Sequence, residues 1–108
     1  MDVRRVVTGH DASGKSVFVS DEQVAPRVPV LLPGSEFTML WGGDETPQFP
    51  DDGSMPNWHT YFPPVGGFRF SMFTLPPGNA EPEPSELTGE EAVADAEEKL
   101  PGLLSYLE

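Results

Sequence analysis

Between Gly66-Gly67 and Pro76-Pro77-Gly78 runs Phe68-Arg69-Phe70-Ser71-Met72-Phe73-Thr74-Leu75, aromatic and apolar, with chain breakers at both ends. The pattern predicts a β-strand. Successive side chains of a strand point to opposite faces, so Phe68, Phe70, Met72 and Thr74 share one side while Arg69, Ser71, Phe73 and Leu75 share the other. Both sides are largely apolar. The strand is therefore expected to be covered on both and to lie centrally in a sandwich or barrel.

Earlier segments read as its partners. Residues 3–8 and 16–21 are two β-rich runs around Gly9-His10-Asp11-Ala12-Ser13-Gly14-Lys15, the pattern of a hairpin. Pro26, Pro29 and Pro33 keep the next stretch extended or looped. Residues 36–41 form the third clear strand, with Phe37, Met39 and Trp41 on one face and Gly42-Gly43 ending it. From 46 to 64 no period survives, yet Phe49, Trp58, Tyr61 and Phe62 are too large for a bland linker. That loop is expected to fold over the sheet as a lid or to enter a partner.

Thr88-Gly89-Glu90-Glu91 has the spacing of a capping box, so a helix should start there. Ala92, Val93, Ala96 and Leu100 fall on one stripe of it, and Lys99 sits near the negative end of its dipole. Pro101 must interrupt that helix but tolerates the first position of a second short one. Three regions result: a β-rich part at 1–78, an acidic proline-broken linker at 79–87 and an acidic helical segment at 88–108.

A chain of 108 residues has room for a single core, and 13 Pro with 11 Gly enforces short strands and many turns. The formal charge of −12 argues against nucleic acid and against an anionic membrane surface. No cysteine is present, and no apolar run approaches a membrane span or a signal h-region, so a soluble cytoplasmic protein is expected.

Candidate chemistry is sparse. His59, between Trp58 and Thr60-Tyr61, carries an imidazole able to bind a ligand or move a proton, but with no identifiable partner the favoured reading is a loop histidine packed by its ring face. His10 reads as a surface turn residue. Asp51-Asp52-Gly53-Ser54 lacks the spacing of a calcium cage and suits a turn. Gly9, Gly14, Lys15 and Ser16 match the spacing of a phosphate loop, but the β-branched Val17-Phe18-Val19 that follows is not the helix such a loop needs. Arg69 on an apolar strand demands an acidic partner, solvent or an anionic ligand. Trp41, Phe70 and Met72 either line a small-molecule pocket or are plain core.

The segments Arg4-Arg5-Val6-Val7-Thr8-Gly9-His10 to Ser16-Val17-Phe18, Phe37-Thr38-Met39-Leu40-Trp41-Gly42, and Gly67-Phe68-Arg69-Phe70 to Leu75-Pro76-Pro77-Gly78 together resemble the amino-terminal part of small single-domain bacterial cupins. The resemblance implies a mainly β, jelly-roll arrangement of antiparallel strands with a C-terminal helix, expected here as an incomplete barrel. Cupins hold a metal with a first motif of two histidines and a glutamate and a second with one histidine. His10 and His59 do not have that arrangement, so no metal ligand carries over, no cofactor is assigned to this chain, and a divalent metal is expected only in a full-length family member. The apolar Leu103, Leu104, Tyr106 and Leu107 read as a boundary inside a larger fold, as in a truncated product, a cleaved chain or an incomplete gene model. The expected role is a structural and interaction segment that buries its strands against further barrel polypeptide or a second copy. The alternative is a metal-dependent small-molecule enzyme in the full-length form. Residues expected at most to line a ligand pocket are Trp41, His59, Tyr61, Arg69, Phe70 and Met72.

Overall fold

A computed structural model describes residues 2–58, 60–78 and 87–106. It is mainly β, with four antiparallel strands in two small sheets and one helix near the C-terminal end: β1 (Val3–His10), β2 (Ser16–Val24), β3 (Glu36–Gly43), β4 (Phe68–Thr74) and α1 (Gly89–Lys99), followed by a short 3-10 turn at Leu104–Tyr106. The four-strand set forms no closed barrel among the described residues.

β1 and β2 make the expected hairpin, running from Val3 opposite Val24 to His10 opposite Ser16, with a bulge beside Val7 and Thr8. Its turn is built by Asp11, whose Oδ1 accepts from the amides of Ser13 at 2.9 Å and Lys15 at 3.0 Å. Short polar side chains close turns in this way because they reach backbone donors two residues on.

β3 pairs with β4 from Glu36 opposite Thr74 to Gly43 opposite Phe68. On its other flank β3 meets, among the described residues, a single bridge, Arg27 to Phe37. β4 has β3 as its one strand neighbour among the described residues. The central position expected for this strand is therefore not what the chain adopts. Phe70, Phe73 and Leu75 are 60%, 59% and 65% exposed. Apolar composition on both faces does not by itself supply the neighbours that would cover them.

β3 carries the core. Phe37 and Met39 pack with Leu100 and Leu103, and Leu32, Trp58, Tyr61 and Phe62 close around them. Trp58, Tyr61 and Phe62 thus fold back over the sheet as the aromatic content of the 46–64 loop suggested, whereas Phe49 is 76% exposed and meets only the His10 ring among the described aromatic contacts. α1 begins at the capping box: Thr88 Oγ1 accepts from the Glu91 amide at 3.2 Å and donates to Glu91 Oε1 at 3.0 Å. Ala92 and Ala96 are buried, whereas Val93, expected on the same stripe, is half-exposed. Leu103 is buried against the chain's own β3 cluster, so this part of the apolar ending has a local cause. Leu107 and residues 79–86 of the expected linker lie outside the described residues.

Gly9 marks where the long loop crosses the hairpin. A Cβ there would come within 2.5 Å of the Asp52 carbonyl group, so only glycine lets residues 51–53 lie against β1. The His10 amide donates to Asp51 O at 2.6 Å in the same crossing. The radius of gyration is 16.8 Å. A compact domain of this length has about 13 Å. The excess places much apolar surface within reach of solvent.

Candidate functional site

Arg69 stands at the start of β4 with its side chain 7% exposed. Burying a guanidinium is tolerable only when its donors are used. Nε donates to Thr60 O at 2.8 Å, Nη1 to Gly43 O at 3.0 Å and Phe68 O at 2.9 Å, and Nη2 to Asp44 Oδ1 at 2.7 Å. The Trp58 ring lies 5.0 Å from the guanidinium carbon. Arg69 is thus the rivet joining the end of β3, the start of β4 and the 57–62 loop. Its sequence-level expectation of an acidic partner is met by Asp44.

Three concavities surround this framework. The first, about 970 Å³, runs from the hairpin turn along the end of β3 and is lined by Asp11, Asp44, Asp51 and Asp52 with Trp41 and Phe68 among its walls. These four aspartates serve local structure. Asp51 Oδ1 accepts from the Gly53 amide at 2.7 Å and Asp52 Oδ1 from the Ser54 amide at 2.9 Å. The Ser54 hydroxyl lowers the Asp52 pKa below the ordinary carboxylate value, with the Ser54 amide adding to it. These are turn-forming aspartates, and among the described residues no group of three or more His, Asp or Glu could hold a metal ion.

Asp11 also disposes of the phosphate-loop spacing. The Ser13 hydroxyl and then the Lys15 and Ser13 amides hold its carboxylate below the ordinary pKa. The turn therefore already presents its donors to an anion of its own. No helix follows Ser16, which opens β2.

The second concavity, about 530 Å³, lies between β1 and β3, with Val3, Val6, Leu40, Trp41 and Phe70 among its walls. Arg5 bridges the two sheets here, donating from Nη1 to Leu40 O at 2.9 Å and pairing with Glu22. Its guanidinium carbon lies 6.0 Å from the Trp41 ring. The third, also about 530 Å³, lies between α1, β3 and the long loop and includes Trp58 and Tyr61. Tyr61 is fixed edge-on to Phe37 at 6.1 Å, and its amide donates to Pro101 O at 2.7 Å.

The residues expected to share a pocket are dispersed. Trp41 and Phe70 meet in the second concavity, while Tyr61 lines the third. Arg69 is committed to its own framework and Met72 is 39% exposed on β4 opposite Thr38. His59 lies outside the described residues. Sequence reading missed Arg5, Arg27 and Lys99 as neighbours of one cavity, because nothing local links positions so far apart in the chain. No protein-family model, curated protein or solved structure matches the chain.

Proposed function

We propose that this chain is an interaction segment of cupin-like architecture, which adds its β3–β4 ribbon to a larger antiparallel sheet and carries no complete metal site of its own. The observation that carries this reading is β4 itself: one strand neighbour among the described residues, with Phe70 and Phe73 of the strand and Leu75 just beyond it each about three-fifths exposed. The one charge between Phe68 and Leu75, Arg69, is turned into the protein and paired. Natural edge strands are ordinarily blunted by Lys, Pro or bulges that discourage added strands. β4 carries none of these on its outer side.

Covering the three side chains removes on the order of 300 Å² of apolar surface, about 7 kcal/mol gross. Association itself costs a comparable amount, so backbone pairing along the free edge must add to the apolar term for a stable assembly. In isolation, the β polypeptide that fits this edge is a second copy.

Sedimentation velocity over a wide concentration range, combined with hydrogen exchange, tests the reading. Reversible self-association is expected, with slowed exchange along β4 at high concentration and loss of both effects in Phe70→Lys. A cooperatively unfolding monomer at every concentration would end it.

A further inference from the structure

The cavity between α1, β3 and the loop around Met55 to Tyr61 is chemically unlike the rest of the protein. Among the described residues its lining contains Arg5, Arg27 and Lys99 and no Asp or Glu. The chain holds six Lys and Arg against eighteen Asp and Glu, so half of all its cations converge on one hollow in an acidic molecule. We propose that this cavity binds a small organic monoanion, a carboxylate on an apolar or aromatic body.

The cations are held in place by the fold. Arg27 Nη1 donates to Lys99 O at 2.8 Å, which draws the start of the 27–30 segment onto the end of α1. Lys99 Nζ donates to Val28 O at 2.8 Å and pairs with Asp95 Oδ1 at 2.8 Å. Arg5 reaches in from β1, and its Nε is buried with no hydrogen-bond partner in the structure. Arg5 also lines the second concavity, so its guanidinium stands between the two.

Charge bookkeeping selects the ligand's valence. Glu22 offsets Arg5 and Asp95 offsets Lys99, both from outside the cavity lining. None of the ion pairs among the described residues involves Arg27. Of the three lining cations Arg27 is thus the one without an ion pair among the described residues, which suits a ligand carrying one negative charge, such as a carboxylate.

The walls select its body. Leu100 is 1% exposed and Met39 6%, giving an apolar floor, while Trp58 and Tyr61 stand beside it as fixed rings. Trp58 is held against Arg69 and Tyr61 against Phe37. Side chains already locked by packing lose little entropy when a ligand arrives. A volume of about 530 Å³ lies within the range of small-molecule sites. The inference stands on this cavity and does not depend on association through β4.

Titration with benzoate, followed by the Trp58 indole resonance and the amides of Lys99 and Leu100, tests it. Benzamide serves as the neutral isostere and inorganic phosphate as the anion without an apolar body. Benzoate is expected to saturate, with benzamide and phosphate each about tenfold weaker or more. Arg27→Ala should abolish binding but also removes the Lys99 contact, so Met55→Glu provides the cleaner variant. Met55 is 49% exposed and lines the cavity, and a carboxylate there should weaken benzoate about tenfold while the spectrum stays dispersed. The proposal is overturned by benzamide or phosphate binding as tightly as benzoate, by perturbations absent or confined to other regions, or by a folded Met55→Glu that binds benzoate unchanged.

Discussion

Arg69 shows how one side chain can organise three segments. Its donors reach Gly43, Phe68, Thr60 and Asp44, and a Trp58 ring covers it. Truncation would leave three backbone carbonyls and a carboxylate to find other partners. Arg69→Ala is expected to lower stability by about 3 kcal/mol in urea unfolding. Arg69→Lys should recover only a minor part, because an ammonium cannot reproduce a planar fork that serves four acceptor groups. A loss within the error of the measurement would show that the rivet is decorative. The need for a partner at position 69 was legible from the sequence, since a charge on an apolar strand must be compensated. Its identity was not, because Asp44 becomes a neighbour only once β3 and β4 are in register. Asp11 teaches the converse. A spacing that matches a phosphate loop is filled by an aspartate that takes the amides for itself.

At the scale of elements, α1 is fastened to the 27–30 segment by polar contacts as well as by Leu100. Asp95 accepts from the Val30 amide at 2.8 Å and pairs with Lys99. The Lys99 hydrogen bond, followed by the Val30 amide, lowers the Asp95 pKa from its ordinary value. A carboxylate with a lowered folded pKa stabilises the fold fully above its unfolded pKa and loses that contribution as pH falls through the folded one. Wild type should therefore be more stable than Asp95→Asn near neutrality, and the gap should close on acidification below about pH 4, the ordinary aspartate range. Thermal unfolding of both proteins across that range checks it, and a gap independent of pH would contradict the assignment. Asp11, Asp21 and Asp52 also have lowered pKa values, so only the difference between the two proteins isolates Asp95. The hairpin, β3, the helix start and the folding-back of the long loop were all legible, because turn residues, capping spacing and aromatic content are local signals. The edge position of β4 was not. Strand neighbours are chosen by parts of the chain remote in sequence, and alternation reports only which side chains share a face. The cationic cavity was hidden for the same reason, its three charges lying on β1, before β3 and on α1.

For the molecule as a whole, the core is stitched from distant pieces. Phe37 and Met39 come from β3, Leu100 and Leu103 from the C-terminal part, and Trp58, Tyr61 and Phe62 from the loop between β3 and β4. Residues 45–50 of that loop are exposed on every side chain, while its later half is anchored through Tyr61 to Pro101 and Thr60 to Arg69. The strand pairing of β3 with β4 and the packing of Phe37 against Leu100 both span residues 45–50 without using them. A protease recognition sequence inserted after Thr46 should consequently yield, after cutting, two bands under denaturing conditions and one species on a native column. Separation of the pieces without denaturant would refute this. Covalent continuity and mechanical continuity thus reside in different atoms of this protein: the peptide bonds near Thr46 carry the first, and the second survives their hydrolysis. Two separately synthesised halves meeting at that point would then be able to reconstitute the fold by complementation.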